Sequence, residues 1–200
     1  MGSGAITIVL IFLLLFVSWQ TIFVSNKDLA RVKAWGDLFR RSLPFFALLV
    51  MVLTLFVIQT YQQGGLLVGW MVVSGVAIVL ASLLAIPSLE RRASKAFRGG
   101  DYARAAELYG ELAEEKPLAR NNAFLGAALG ASERYEESVD ASTKAIELDP
   151  KYGLAYYNRA LVLQRMGKKS GAVKDLKKAL EADLPRRFRS AAQKMLDELT

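Results

Sequence analysis

The chain has 200 residues and a formal net charge of +7, enough for one ordinary domain or for a small domain with a membrane anchor. Its 53% hydrophobic content is unexceptional, but residues 1–26 and 42–89 carry none of the 26 basic and 19 acidic side chains. So long an uncharged stretch argues against a purely water-soluble fold, and the absence of histidine and cysteine removes disulfides, thiolate metal sites, cysteine nucleophiles and the commonest acid–base group.

In chain order, Ala5–Val24 is the first apolar run, and its 20 residues match the ~20 that a helix needs to cross a hydrocarbon core about 30 Å thick. A cleaved signal peptide would need a basic leader and a small-residue cleavage site, and this run has neither. Leu43–Tyr61 and Leu66–Ile86 form the second and third runs. Pro44 is expected in the first turn of the second helix, where its missing N–H costs little, and Pro87 closes the third.

Lys27, Arg31, Lys33, Arg40 and Arg41 lie between the first two runs, and Arg91, Arg92, Lys95 and Arg98 follow the third. The loop Gln62–Gly65 has no basic residue. This asymmetry predicts three spans with the N-terminus outside and the C-terminal half in the cytoplasm of a bacterial-type plasma membrane. Tyr61 and Trp70 fit as outer interfacial anchors and Trp19 as an inner one. Within residues 25–42, Leu29, Val32, Trp35 or Gly36, and Phe39 recur at helical spacing among basic residues. The pattern predicts a short helix in the inner interface, and a plain polar connector is the alternative. Arg40, Arg41, Arg91 and Arg92 are the candidate contacts to anionic lipid headgroups.

The membrane runs contain Thr, Ser and Gln but no ionisable side chain, which argues against a pump or proton-coupled carrier. Gly65, Gly69, Ala77, Ala81 and Ala85 repeat at four-residue spacing. Such a face lets helices approach closely, toward another membrane protein, a second copy, or the chain's own helices.

From Ser88 onward alanine, charge and helix formers dominate, and the chain repeats with a period of about 34 residues. One unit reads Gly100-Asp101-Tyr102, then Ala105, Tyr109, Leu112 and Pro117. The next has Leu125, Gly126, Leu129, Tyr135, Ser138, Ala145 and Leu148-Asp149-Pro150. The last runs from Gly153 through Ala160, turns at Gly167, and continues through Ala172, Leu176 and Ala179. Gly-Asp-Tyr-Ala-Arg-Ala-Ala and Lys-Ala-Ile-Glu-Leu-Asp-Pro resemble the tetratricopeptide repeat (TPR) family. Small residues such as Gly126 and Ala160 suit close helix crossing, Tyr102 and Tyr135 are expected to wedge between neighbours, and Asp149-Pro150 ends a helix. The spacing Tyr102 to Tyr135 is one residue short, Pro185 falls one position late, and Arg92 stands where the family prefers leucine. Ser88–Arg98 follows the third run almost directly, which predicts an array seated on the membrane surface. After Pro185, the apolar stripe Phe188, Ala192, Met195 and Leu199 predicts a capping helix over 186–199.

The resemblance implies that the first helix of each unit lines a groove. That assigns Arg120, Ala123, Ala127, Gly130 and Ala131 in the middle unit, and Leu154, Tyr157, Asn158, Leu161, Gln164 and Arg165 in the last. Family members that grip a C-terminal carboxylate do so with paired lysines and asparagines. The corresponding positions here are Glu90 and Ser94, so the groove suits a helix or an extended apolar peptide. Residues 101–150 have 5 basic and 11 acidic side chains, and residues 151–200 have 12 and 5. The lysines at 168, 169, 174, 177 and 178 come without a nucleic-acid-binding module; membrane-surface attraction or an acidic protein partner fits them equally well, a plain solvated face is the alternative, and no nucleic acid is expected. Glu136, Glu137 and Asp140 lack the setting of a metal site, and no cofactor is expected.

The fold is thus expected to be all-α, with three membrane helices over 1–87 and a TPR stack of about three units over 88–200. The expected role is a non-enzymatic adaptor for protein partners, such as subunits of a membrane complex. A small transport or channel component regulated by its TPR domain is the alternative.

Overall fold

The computed structural model describes residues 3–58 and 64–200, and every regular element among them is a helix. The chain divides into two compact units, Met1–Pro87 and Ser88–Thr200.

In the first unit, α1 spans Ser3–Ser25, α2 Lys27–Arg31, α3 Trp35–Ile58 and α4 Gly64–Ala85. α3 packs against α1, α2 and α4. Two stretches among the described residues are long and apolar enough to cross a membrane, Trp35–Leu55 in α3 and Gly65–Ala85 in α4. Val9–Ser25 of α1 is a shorter apolar helix. Trp70 on α4 donates its indole N–H to Thr54 Oγ1 of α3 at 2.9 Å, which gives that polar atom a partner between two apolar helices. Tyr61, expected as an outer anchor, lies outside the described residues.

Two local expectations are corrected. Pro44 sits well inside α3, not in its first turn. An interior proline leaves the carbonyl four residues back without its usual donor. Aromatic rings flank the proline: Phe39 meets Phe46 at 5.5 Å, and Phe45 meets Trp19 of α1 at 5.2 Å. Residues 25–42 do not form one interfacial helix either, because Lys33 adopts φ 57° and separates α2 from α3. Leu29 turns inward and is 1% exposed, whereas Trp35 and Phe39 stay outside, so the expected single stripe is split. On the small-residue face, a Cβ on Gly65 or Gly69 would meet nothing else of the chain within 4 Å, and Ala77 is exposed. Of the small-residue face only Ala85 is buried, with Ala81 half-buried.

In the second unit, α5 spans Ser88–Arg98, α6 Tyr102–Glu115, α7 Ala119–Ala131, α8 Tyr135–Leu148, α9 Gly153–Arg165, α10 Lys169–Glu181 and α11 Arg186–Leu199. Each helix packs on the next in sequence, and α7 also packs directly on α9. Sequence chemistry sets these boundaries. The Asp101 carboxylate accepts the Arg104 N–H at 3.1 Å and caps α6. Asp149 ends α8 and accepts the Lys151 N–H at 3.0 Å. Gly167 takes φ 75° in the turn between α9 and α10, a conformation that glycine adopts without strain.

Small side chains then decide how closely the helices approach. Ala105, Ala145, Ala160, Ala172 and Ala179 are fully buried. A Cβ on Gly126 would come within 2.4 Å of Ser142 Oγ, so only glycine permits the observed crossing of α7 and α8. The expected tyrosine wedge is corrected at Tyr102, which is exposed and meets Phe97 edge-on at 5.3 Å, while Tyr135 is half-buried. Tyr109 is the buried aromatic of the first repeat and packs on Phe124 of α7 at 5.4 Å. α11 closes the stack through buried Ala192 and Met195, with Phe188 packed on the same apolar cluster. Its Arg189 donates to the carbonyls of Leu180, Ala182 and Leu184, satisfying the end of α10.

Candidate protein-binding face

α5, α7 and α9 open the successive repeats, and the direct packing of α7 on α9 places the side chains of these two helices in one row. The structure separates the expected groove residues into two groups. Ala123, Leu154 and Asn158 are buried between helices, which corrects their assignment to an open surface. Arg120 is also buried. Asn158 donates from Nδ2 to the Ala123 carbonyl at 2.9 Å and straps α9 onto α7. Arg165 makes a similar bond, from Nη1 to the Gly130 carbonyl at 3.0 Å, while staying exposed. Gly130 is itself buried against Val162, whose Cγ2 would lie 2.7 Å from an added Cβ.

Ala127, Tyr157, Leu161 and Gln164 remain half-buried, with part of each surface available. Tyr157 packs on Phe188 of α11 at 5.5 Å, and burial pushes its phenol above the usual tyrosine range. Arg187 lies 4.8 Å over the other ring of this pair, that of Phe188. Phe124 belongs with this group although its residue type alone did not single it out. It stands one helical turn from both Arg120 and Ala127, and it packs against the core clusters of both the first and the last repeats. Helical spacing from those two positions is the signal that identifies it.

At the first repeat, Glu90 and Ser94 are half-buried on α5. The Tyr109 phenol is raised mainly by its burial and then by the Glu90 charge, while a hydrogen bond with Ser94 and the charge of Arg98 act against this. The row therefore presents aromatic and aliphatic surface, with an acid and a hydroxyl at its start. α6, α7 and α8 also line an open groove of about 360 Å³ that includes Ala113, Leu125, Leu129, Glu114, Glu137 and Asp140. Glu137 is held by a bidentate pair with Arg134, which lowers its carboxyl below the usual range. No group of three or more potential metal ligands occurs among the described residues. Arg91 and Arg92 are exposed on α5, whereas Arg40 and Arg41 are half-buried on α3.

Two tetratricopeptide repeat families match within this unit, one over residues 119–152 and the other over residues 142–174. The TPR repeat-containing thioredoxin TTL4 of Arabidopsis thaliana is 37% identical over 83 residues, 40% of this chain and 12% of that protein. The mitochondrial import receptor subunit TOM70 of Rattus norvegicus is 28% identical over 109 residues, 52% of this chain and 18% of that protein. The chain thus spans less than a fifth of the length of these relatives. Among solved structures, the Arabidopsis OM64 TPR domain superposes with a TM-score of 0.51 at 20% identity, covering 56% of this chain and 90% of that one. The second TPR domain of human RPAP3, determined in complex with the HSP70 peptide SGPTIEEVD, gives a TM-score of 0.50 at 27% identity and covers 56% and 92%. Repeat period, helix pairing, glycine and alanine crossings and these matches agree: the C-terminal unit of this chain is a tetratricopeptide repeat domain.

Proposed function

We propose that this chain is a membrane-anchored, non-enzymatic adaptor whose TPR domain holds a protein partner at the cytoplasmic face of a bacterial-type plasma membrane, as a subunit or assembly factor of a larger membrane complex. The observation that carries the reading is the row formed by Phe124, Ala127, Tyr157, Leu161 and Gln164, which leaves apolar surface half-open on a rigid helical stack. Asn158 is buried and engaged by the Ala123 carbonyl, Arg165 is exposed and gives one donor to the Gly130 carbonyl, and the positions in the first repeat that correspond to those of carboxylate-gripping relatives are Glu90 and Ser94. The occupant that fits is an apolar or helical segment, not an acidic tail. The RPAP3 domain, solved with a bound peptide, supports peptide binding as a use of this fold. In this reading α1, α3 and α4 are three spans, and the basic residues beside α2 and on α5 face the cytoplasm.

Photo-crosslinking from Gln164→benzoylphenylalanine in the full chain, in its native membrane, tests the proposal. A discrete crosslinked protein, lost when Phe124 and Tyr157 are both changed to alanine, is expected. Crosslinks to no protein, together with solute flux in liposomes containing the purified chain, would replace the adaptor by a transport component.

A further inference from the structure

We infer that the elbow between α1 and α3 is a binding surface for anionic phospholipid, in which Trp35 and Phe39 enter the headgroup boundary and Lys33 and Arg40 attract lipid phosphate. The inference rests on the reading that the first unit spans a membrane.

The elbow satisfies its own backbone. The N–H groups of Leu29, Ala30, Val32, Lys33, Ala34 and Trp35 all donate to carbonyls between Asn26 and Lys33. Asn26 Nδ2 donates to the Ile22 carbonyl at 2.8 Å. A break between helices therefore needs no water for these donors and is compatible with a poorly hydrated boundary. Buried Leu29 plugs the inside of the turn.

The outside is apolar where a water-facing turn would be polar. Trp35 is 59% exposed and Phe39 60% exposed, four residues apart on the first turns of α3 and therefore on one face. Val32 is exposed beside them. Phe39 packs on Phe46, itself exposed, so Trp35, Phe39 and Phe46 make one aromatic surface along the first part of the apolar stretch Trp35–Leu55. This placement identifies the occupant as lipid: the aromatic surface and the charges of Asp37, Arg40 and Arg41 share the starting end of a stretch with the length and composition of a span. Tryptophan is suited to such a boundary because its ring is apolar and its N–H polar.

Charge specifies the headgroup. Residues 25–42 contain Lys27, Arg31, Lys33, Arg40 and Arg41 against Asp28 and Asp37. The excess of basic over acidic groups attracts anionic phosphate, and apolar insertion combined with a basic patch gives two signals for stable association with the interface.

The test uses the full chain with Trp19→Phe and Trp70→Phe, leaving Trp35 as the reporter, in vesicles of phosphatidylcholine mixed with phosphatidylglycerol. One lipid or the other carries bromine, either near the headgroup end of its acyl chain or near the terminal methyl. Trp35 emission is expected to be quenched more strongly by bromine near the headgroup end. The association constant for phosphatidylglycerol over phosphatidylcholine is expected to exceed about fivefold, the equivalent of the ~1 kcal/mol that one surface basic residue supplies. Lys33→Glu with Arg40→Glu should remove the preference while circular dichroism shows unchanged helix content. Equal constants for the two lipids, or quenching of Trp35 by aqueous iodide in place of bromolipid, would overturn the proposal. Competition by inorganic phosphate would also overturn it, in favour of a site for the free anion. A companion chain with Trp19→Phe and Trp35→Phe leaves Trp70 as the reporter. If brominated lipid quenches Trp70 but not Trp35, the elbow proposal fails and the membrane reading survives. If it quenches neither, the membrane reading itself fails.

Discussion

Asp175 of α10 accepts two hydrogen bonds from Arg159 of α9, Nε to Oδ2 at 2.7 Å and Nη2 to Oδ1 at 2.8 Å. The remaining amino group of Arg159 donates to Thr143 Oγ1 of α8 at 2.9 Å, so one guanidinium joins three helices. Asp175 is 3% exposed, whereas the Arg159 side chain keeps 21%. Removing the arginine therefore strands a carboxylate out of water, while removing the carboxylate leaves an arginine that reaches solvent. Arg159→Ala is expected to cost about 3 kcal/mol, and Asp175→Ala less. Denaturant unfolding of the two single variants and the double variant checks this. Equal losses for the two single variants would contradict the asymmetry.

Gly126 and Ser142 form a second contact with a measurable consequence. An added Cβ at Gly126 would lie 2.4 Å from Ser142 Oγ and 3.2 Å from the Ser138 carbonyl. Gly126→Ala should cost roughly 1–3 kcal/mol by forcing α7 away from α8. Ser142 Oγ is buried without a hydrogen-bond partner, so Ser142→Ala alone should leave thermal stability unchanged or slightly raised. Ser142→Ala should also recover part of the Gly126→Ala loss, but not all of it, because the Ser138 carbonyl remains.

Two tyrosines should titrate late. The phenols of Tyr109 and Tyr157 are raised above the ordinary value of 10.0, in both cases chiefly by burial. Below that pH both are protonated in the folded and the unfolded chain, and stability does not depend on them. As pH rises through and above it, the unfolded chain releases these protons first, so stability falls. Ultraviolet titration should resolve a late tyrosinate fraction that shrinks in Tyr109→Phe and again in Tyr109→Phe with Tyr157→Phe.

The proposed topology is tested separately from the fold. Single cysteines at Gln63 and Thr200 should differ in intact cells, with Gln63→Cys reacting with an impermeant maleimide and Thr200→Cys protected until lysis. Labelling of Thr200→Cys from outside would reverse the orientation inferred from basic residues such as Arg40, Arg41, Arg91 and Arg92.

The repeat domain was legible because its determinants are local and recur. Gly167, Asp101 and Asp149 mark turns and caps, and buried alanines at matching positions report where helices touch. The candidate binding face was less so. Asn158 and Arg165 read as ligand-facing polar groups, yet each bonds a carbonyl 35 residues earlier. That partner depends on the distance between α7 and α9, which no neighbouring residue encodes. Pro44 shows the same limit: the local rule places it at a helix start, while α3 begins nine residues earlier, at Trp35, and continues through it.

By itself, the amino-acid sequence determined the division into an uncharged apolar half and a repetitive helical half, the period of the repeat and its capping helix, because hydropathy, turn chemistry and helix periodicity are properties of short segments. Only the tertiary structure decided which side chains are consumed in packing and which remain available. Leu29 is enclosed while Trp35 and Phe39 are left outside, and Asn158 is enclosed while Tyr157 and Gln164 are left partly open. The physical reason is that exposure belongs to the whole arrangement of helices: a residue is buried when another element lies over it, and the element over Asn158 is α7, a full repeat away.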